Sequence, residues 1–485
     1  MASSFLESFS RLARSPGFKF FLVGLLIFLL SIPLALVWFL VAERESSSRS
    51  VSAEIAQRFG GPQQVVGPLL IVPYSVKVQR VQTDKTIEST IERYAVFLPD
   101  EFTAGGDARS EIRRRSIYEV TLFTATLKLA GRFPAPDIRL VDPDAENIRW
   151  RDAFISLGLS DVSGLKEVKS LSLDGGRSVS FEPSSGLPAS GRPSMPVYDN
   201  SRAVAFEPGI GFAQSNGSGL NARLFPVGAS VDQAPGPFSF ETELVFNGSS
   251  TLTIAPIGRS TTLDLTSDWP HPSFTGAFLP DSREINADGF KANWSIPHLA
   301  RSVPQAWRVD ASQTENVQGM LWPTLSGVSF YVPIDYYSLV NRALKYGLMF
   351  LGVAFLAVLV LELKSDRRVH AVQYVFVGLT MILFYVLLLS LSEHLGFTIA
   401  YLAASAATGG MLSLYVGRSL QSAARGFIML LVFLILYGLL YLILRLEDYA
   451  LLAGAVAGFV MLTVTMFATL RVNWSGDGDT RQAKG

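Results

Sequence analysis

The sequence predicts a membrane protein, an α-helical bundle of six transmembrane helices, one N-terminal and five C-terminal, with a large mainly-β domain inserted after the first. Three observations predict it. Five apolar runs follow one another late in the chain: Tyr346 to Leu363, Val372 to Leu391, Phe397 to Val416, Phe427 to Leu444 and Ala450 to Leu470. A sixth run, Phe18 to Val41, stands near the start. Between them the chain is polar, rich in turn residues and patterned with a period of two.

Each run is close to the roughly 17 to 25 residues that a bilayer-spanning helix needs. Inside hydrocarbon the backbone must bond to itself, and a helix does this within one segment. The interruptions are short and polar, such as Lys364 to Arg368 and Ser392-Glu393-His394. The first run is longer than the apolar region of a secretory leader, and Leu40-Val41-Ala42 is a poor cleavage site, so it reads as an uncleaved anchor. Pro33, near Ser31, is a possible kink of the kind membrane helices tolerate.

Composition agrees: of 485 residues 49% are hydrophobic and 17% charged, with a net charge of +0, which gives no electrostatic footprint for a nucleic-acid partner. The chain has no cysteine, which excludes disulfides, thiol catalysis and cysteine metal sites. Its four histidines stand at no metal-ligand spacing, so no metal and no cofactor are expected.

Loop charge sets the expected orientation. With residues 1–17 in the cytoplasm, Lys364 to Arg368, Arg418 to Arg425 and the tail, 472–485, which follows Arg471 and carries Arg481 and Lys484, fall inside. Ser392 to Gly396 carries no Lys or Arg, Arg445 to Asp448 is net acidic, and both fall outside. Both termini are then cytoplasmic, 18–42 is the first span, 43–340 an external β-rich domain and 341–471 the five-helix domain.

Within 43–340, Val72, Tyr74, Val76 and Val78 alternate with other residues, as do Phe238, Phe240, Thr242, Leu244 and Phe246. Asn247-Gly248 before Thr251 to Ile254 reads as a hairpin turn. Tyr118 to Leu129 and Arg177 to Phe181 are further strands. Ser46 to Phe59 reads as a helical piece continuing the first span. Ser184 to Pro196 and Ala213 to Gly219 read as loops, the first a possible subdomain boundary.

Four stretches are candidates for function. Asp268-Trp269-Pro270-His271-Pro272-Ser273-Phe274 offers a histidine that titrates near neutrality beside pocket-forming aromatics, Trp269, His271 and Phe274; its bland reading is a rigid, packed turn. Glu393 and His394 suit a proton relay or ion site at the outer interface, or an ordinary loop. Arg342 and Lys345 sit three apart at the outer end of the second span, against the loop-charge trend, and call for an anion: Glu393 or a lipid headgroup. Gly454-x-x-x-Gly458 lets helices approach closely and suits internal packing better than dimerisation. Glu362 and Lys364 read as boundary residues that snorkel.

The chain resembles the CreD family. The residues that carry the resemblance are Gly60-Gly61-Pro62 with Gly67-Pro68-Leu69 to Pro73-Tyr74, Ser267 to Phe274 through Phe278-Leu279-Pro280, Arg342 to Tyr346, Gln373-Tyr374, Gly378-Leu379 and Leu389 to Phe397. Asn341 stands where the family pattern has Asp, and Ala371 where it has Pro. The resemblance implies a Gram-negative inner membrane, a periplasmic β domain, a role in cell envelope integrity and expression under a two-component stress regulator. It supplies no catalytic residue. The expected function is therefore a non-enzymatic envelope protein binding an envelope partner or a lipid. The alternatives are a transporter or lipid-handling permease, and a membrane hydrolase using Asp268, His271 or His394.

Overall fold

The structure is a computed structural model that describes residues 16–82, 85–115, 118–184, 219–225, 233–310, 320–330, 336–365, 369–445 and 450–469. The chain divides into two compact units, Met1–Arg49 with Ile334–Gly485, and Ser50–Pro333.

The first unit is helical. Helix α1 (Pro16–Arg58) runs unbroken through Pro33 and on into its polar extension. Beside the proline, the Ser31 hydroxyl donates to the Phe28 carbonyl at 2.6 Å. The extension, whose residues from Ser50 on belong to the second unit, is laced by the i,i+4 pairs Glu45–Arg49 and Glu54–Arg58. Helices α2 (Tyr336–Lys345) and α3 (Gly347–Leu363) are bent by 50° at Tyr346. Then come α4 (Ala371–Leu395), α5 (Phe397–Ser419), α6 (Ala423–Arg445) and α7 (Ala450–Thr469). Among the described residues α1, α4, α5 and α6 are each long and apolar enough to cross a membrane, and the bent pair α2–α3 makes a fifth such element.

Two expectations change here. Ser392, Glu393 and His394 are not a loop: α4 continues to Leu395 and only Gly396, at φ +76°, separates it from α5. Arg342 and Lys345 lie in α2, across the bend from the long apolar helix α3.

Small residues set the packing. A Cβ on Gly378 would lie 2.3 Å from Leu30 Cδ1, so α1 seats against α4 as a member of the bundle. A Cβ on Gly454 would lie 2.8 Å from the Tyr346 ring, and one on Gly458 3.6 Å from Met349. The Gly-x-x-x-Gly stripe therefore faces a neighbour in the same chain.

The second unit is two sheets around one core. Its strands are β1 (Gln63–Gln82), β2 (Lys85–Phe97), β3 (Glu101–Arg115), β4 (Tyr118–Phe133), β5 (Phe154–Leu159), β6 (Leu165–Val168), β7 (Leu171–Leu173), β8 (Arg177–Val179) and β9 (Glu182–Pro183). They continue with β10 (Gly219–Arg223), β11 (Phe238–Ser249), β12 (Thr251–Ile254), β13 (Ser260–Ser267), β14 (Pro272–Gly276), β15 (Ser282–Asn286), β16 (Gly289–Pro297), β17 (Ala306–Asp310) and β18 (Ser326–Phe330). One sheet has the order β14-β18-β12-β1-β5-β10-β9, with β2 on β1 and β17 on β2. The other has β15-β16-β13-β3-β4-β11-β7-β8, with β6 on β11. Phe123 of β4 stacks on Phe330 of β18, centroids 4.7 Å apart, joining the sheets. One apolar cluster runs through both. Strands β9 and β10 pair with each other, so the chain on either side of 185–218 belongs to one sheet. The two stretches read as loops lie, but for Ser184 and Gly219, outside the described residues.

Asn247-Gly248 makes no hairpin. Strand β11 continues to Ser249 against β4, and the chain turns at Ser250, φ +54°, into the other sheet, where β12 pairs with β1 and β18. The glycine serves packing: a Cβ there would sit 2.4 Å from Phe123 Cζ. The asparagine serves hydrogen bonding, its carbonyl accepting from Gln63 Nε2 at 3.1 Å and its Oδ1 from the Thr124 hydroxyl at 2.9 Å.

Candidate functional site

Polar groups in the helical unit gather at its two ends. At one end stands Glu362, in the last turn of α3 and 3% exposed. An anion buried so deeply is costly unless donors surround it. Lys19 of α1 donates to its Oε1 and pairs with it. Tyr374 of α4 donates its hydroxyl to Oε2 at 2.8 Å, and the Val369 N–H donates to Oε1 at 3.0 Å. One carboxylate thus ties three helices together. The reading of Glu362 as a snorkelling boundary residue is overturned: its carboxylate turns inward because the donors are there, while Lys364 is exposed as expected. A signal was present in sequence, since Lys19 and Glu362 each stand just inside an apolar run and carry opposite charge. Arg425 adds α6 to this end, donating to the Lys364 carbonyl at 3.0 Å and to Ser365 Oγ at 2.5 Å.

At the other end Trp38 Nε1 donates to Asn341 Oδ1 at 3.0 Å, joining α1 to α2. Glu393 accepts the Tyr337 hydroxyl at 3.2 Å. Glu393 does link α4 to the first turn of α2, but through a neutral hydroxyl; among the described residues no ion pair joins it to Arg342 or Lys345. Lys345 and His394 are exposed and Arg342 is half-buried. Between the two ends the buried polar groups among the described residues are hydroxyls, as where Tyr401 donates to the Tyr437 carbonyl at 2.6 Å and Tyr437 meets Thr408 at 3.0 Å.

In the β unit, the Asp268–Phe274 stretch is packed. Trp269 is buried, and its Nε1 donates to the His271 carbonyl at 3.1 Å. Asp268 accepts the Ser110 N–H at 2.7 Å. Phe274 meets Phe290 and Trp294 edge-on at 5.7 and 5.8 Å, with the Arg283 guanidinium 6.0 Å above it. His271 is left exposed beside β14, which ends its sheet. So the structure brings Trp269 and His271 together and sets Phe274 into a neighbouring aromatic cluster.

The sequence gives little warning of Asp142. Its side chain is 1% exposed and accepts from Tyr74 and from Arg93 Nη1, both at 2.8 Å, with Arg308 at 3.9 Å. Burial alone would raise its pKa, but the hydrogen bonds from Tyr74 and Arg93 and the Arg93 charge outweigh that and hold it below the ordinary carboxylate value. Arg301 is the converse: burial pushes its guanidinium down to about 10, and it donates to the Pro256 carbonyl at 2.7 Å. Among the described residues no three metal-ligating side chains gather.

Apolar helices at both ends of the chain, with a two-sheet unit inserted between them, define a multi-pass helical membrane protein carrying a large β domain. The model of one family, described as inner membrane protein CreD, matches residues 15–475. A relative from Escherichia coli (strain K12), "Inner membrane protein CreD", is 31% identical over 450 residues, which is 92% of this chain and 91% of the relative. The chain belongs to the CreD family of inner membrane proteins.

Proposed function

We propose that this is a non-enzymatic envelope protein with six membrane spans, whose β domain lies in the periplasm and binds an envelope partner or lipid in support of envelope integrity under stress. The observation that carries the reading is the insertion of one large, single-cored β unit between the first apolar helix and the rest of the bundle. A domain of that size, with both its chain ends leading to membrane helices, is suited to presenting a surface on one side of the bilayer. Loop charge supports the periplasmic side, since the basic loops sort with the N-terminus. Edge strand β14, with exposed His271 next to it, is a place where such a surface is accessible.

The test is in-cell photo-crosslinking from His271, Ser273 and His394. Capture of one dominant envelope protein or of lipid supports the reading. Capture of neither, with enzymatic turnover by the purified chain, overturns it.

A second reading, a transporter or lipid-handling permease, is favoured by buried Glu362 and its half-buried partner Lys19, because ionisable groups inside membrane bundles often serve transport. A solute that raises the unfolding temperature of wild type but not of Glu362→Gln would bring it forward.

A further inference from the structure

We propose that the groove between α4 and α5 binds one anionic phospholipid, with an acyl chain along the groove and the phosphate at Arg418. The proposal stands on the chain's placement in a membrane and not on the envelope role above.

The groove has a volume of about 490 Å³, within the range of roughly 300 to 1,000 Å³ typical of built ligand sites. Its walls are Phe376, Leu379, Leu383 and Val386 of α4 and Met411 and Tyr415 of α5. Thr380 also lines it, but its hydroxyl is turned back onto the Phe376 carbonyl at 2.8 Å, which leaves the wall apolar. Phe376, Leu383 and Met411 are 52%, 51% and 62% exposed, so none of the described residues fills the space. A void between packed helices forfeits dispersion contacts on every wall. In a bilayer the flexible apolar group at hand to restore them is an acyl chain.

Length identifies the occupant further. From Phe376 to Val386 is ten residue steps, about 15 Å at the helical rise. That is half of a hydrocarbon core about 30 Å thick, the depth of one leaflet. The Phe376 end of the groove is the end where α4 begins and α5 finishes. It is also the end where Lys19 pairs with Glu362, because Arg425 bonds both the Lys364 carbonyl, two residues past Glu362, and the Leu420 carbonyl just past α5. Charge then identifies the headgroup. Met411, Tyr415 and Arg418 are spaced i, i+4, i+7 and share one face of α5, so Arg418 stands one turn beyond the groove on the same stripe. Lys19 pairs with Glu362 and Arg425 caps α3, whereas Arg418 is exposed and has no ion pair among the described residues. A basic group at the interfacial end of a cleft between spans is suited to a phosphate.

The full chain is reconstituted in nanodiscs of mixed phosphatidylglycerol and phosphatidylethanolamine, and retained lipid is read by native mass spectrometry. The expected result is one retained phosphatidylglycerol per chain, enriched over its bulk share by about fivefold, the increment of one cation near a membrane surface. Leu383→Trp should abolish retention, with Met411→Trp from the opposite wall as the second variant if the first unfolds. Arg418→Gln should keep a lipid but lose the headgroup preference. Leu434→Trp, at an exposed position on α6 outside the groove, should change neither. Retention without headgroup preference, or retention unaffected by both tryptophans, overturns the proposal. So does crosslinking of Leu383→Cys between two chains, which would make the occupant a second copy.

Discussion

Lys19, near the start of the first helix, donates to Glu362, in the last turn of a helix 343 residues further along the chain. Glu362 is 2% exposed at its side chain and Lys19 23%. The carboxylate also accepts from Tyr374 and the Val369 N–H, so the pair is the polar anchor of a joint between α1, α3 and α4. Leu30 against Gly378 and Leu34 against Gly347 continue the same joint through the apolar part of α1.

Removing Lys19 should leave an anion buried with too few donors. Lys19→Met is expected to destabilise the detergent-solubilised chain by about 2 to 4 kcal/mol, a little under the loss for a fully buried pair because the lysine keeps some water. Glu362→Gln should cost less, as the amide oxygen still accepts from Tyr374. The double change Lys19→Met with Glu362→Leu should recover part of the loss. Thermal unfolding followed by tryptophan fluorescence checks this; strict additivity would show that the two residues are not coupled.

The sheet switch at Ser250 gives a second expectation. Gly248→Ala would place a Cβ 2.4 Å from Phe123 Cζ, and that ring is stacked on Phe330. The ring cannot move without opening the joint between the sheets, so a loss of about 1 to 3 kcal/mol is expected. Phe123→Leu in the same chain should relieve the clash, so that the double variant loses less than the two single losses added together. Urea unfolding of the three variants measures the coupling.

These two sites differ in how far the sequence discloses them. The spans are legible because hydrocarbon leaves the backbone so few options that an apolar run of sufficient length means a helix. The strand faces are legible because Phe238, Phe240, Leu244 and Phe246 alternate inward along β11. Asn247-Gly248 misleads because two residue types that favour a turn are held here by long-range partners, Gln63, Thr124 and Phe123, which no local pattern reveals. The partner of Glu393 misleads in a similar way: charge logic points to Arg342 or Lys345, while the helix bend at Tyr346 sets them in α2 and α2 offers the Tyr337 hydroxyl instead. Asp142 lies in the connection between β4 and β5, with no periodicity of its own, and its burial depends on Tyr74, Arg93 and Arg308 arriving from β1, β2 and β17.

Acid should probe Asp142 directly. Its folded-state pKa lies below the ordinary value of 3.8. The stability it contributes is therefore complete above that value and is lost as pH falls through the folded pKa. Asp142→Asn should be less stable at neutral pH by about 1 to 3 kcal/mol, since charged hydrogen bonds to Tyr74 and Arg93 are replaced by weaker ones. The same variant should show a shallower loss of stability between pH 5 and pH 2 than wild type, a window set around that carboxylate pKa. Equal acid slopes would show that the Asp142 carboxylate does not carry this acid dependence.

The orientation can be read with single cysteines, because the chain has none of its own. His394 is exposed in the last turn of α4, and Gln421 is exposed just past the end of α5, so one span separates them. In intact cells His394→Cys is expected to react with a membrane-impermeant maleimide and Gln421→Cys to react only after the membrane is opened. The reason is the charge of the loops: Arg418 and Arg425 flank Gln421, and basic residues are retained on the cytoplasmic side. Reversed labelling would invert the proposed topology and place the β unit in the cytoplasm. Equal labelling at both positions would be the more damaging result, since it would mean that α5 does not separate two compartments.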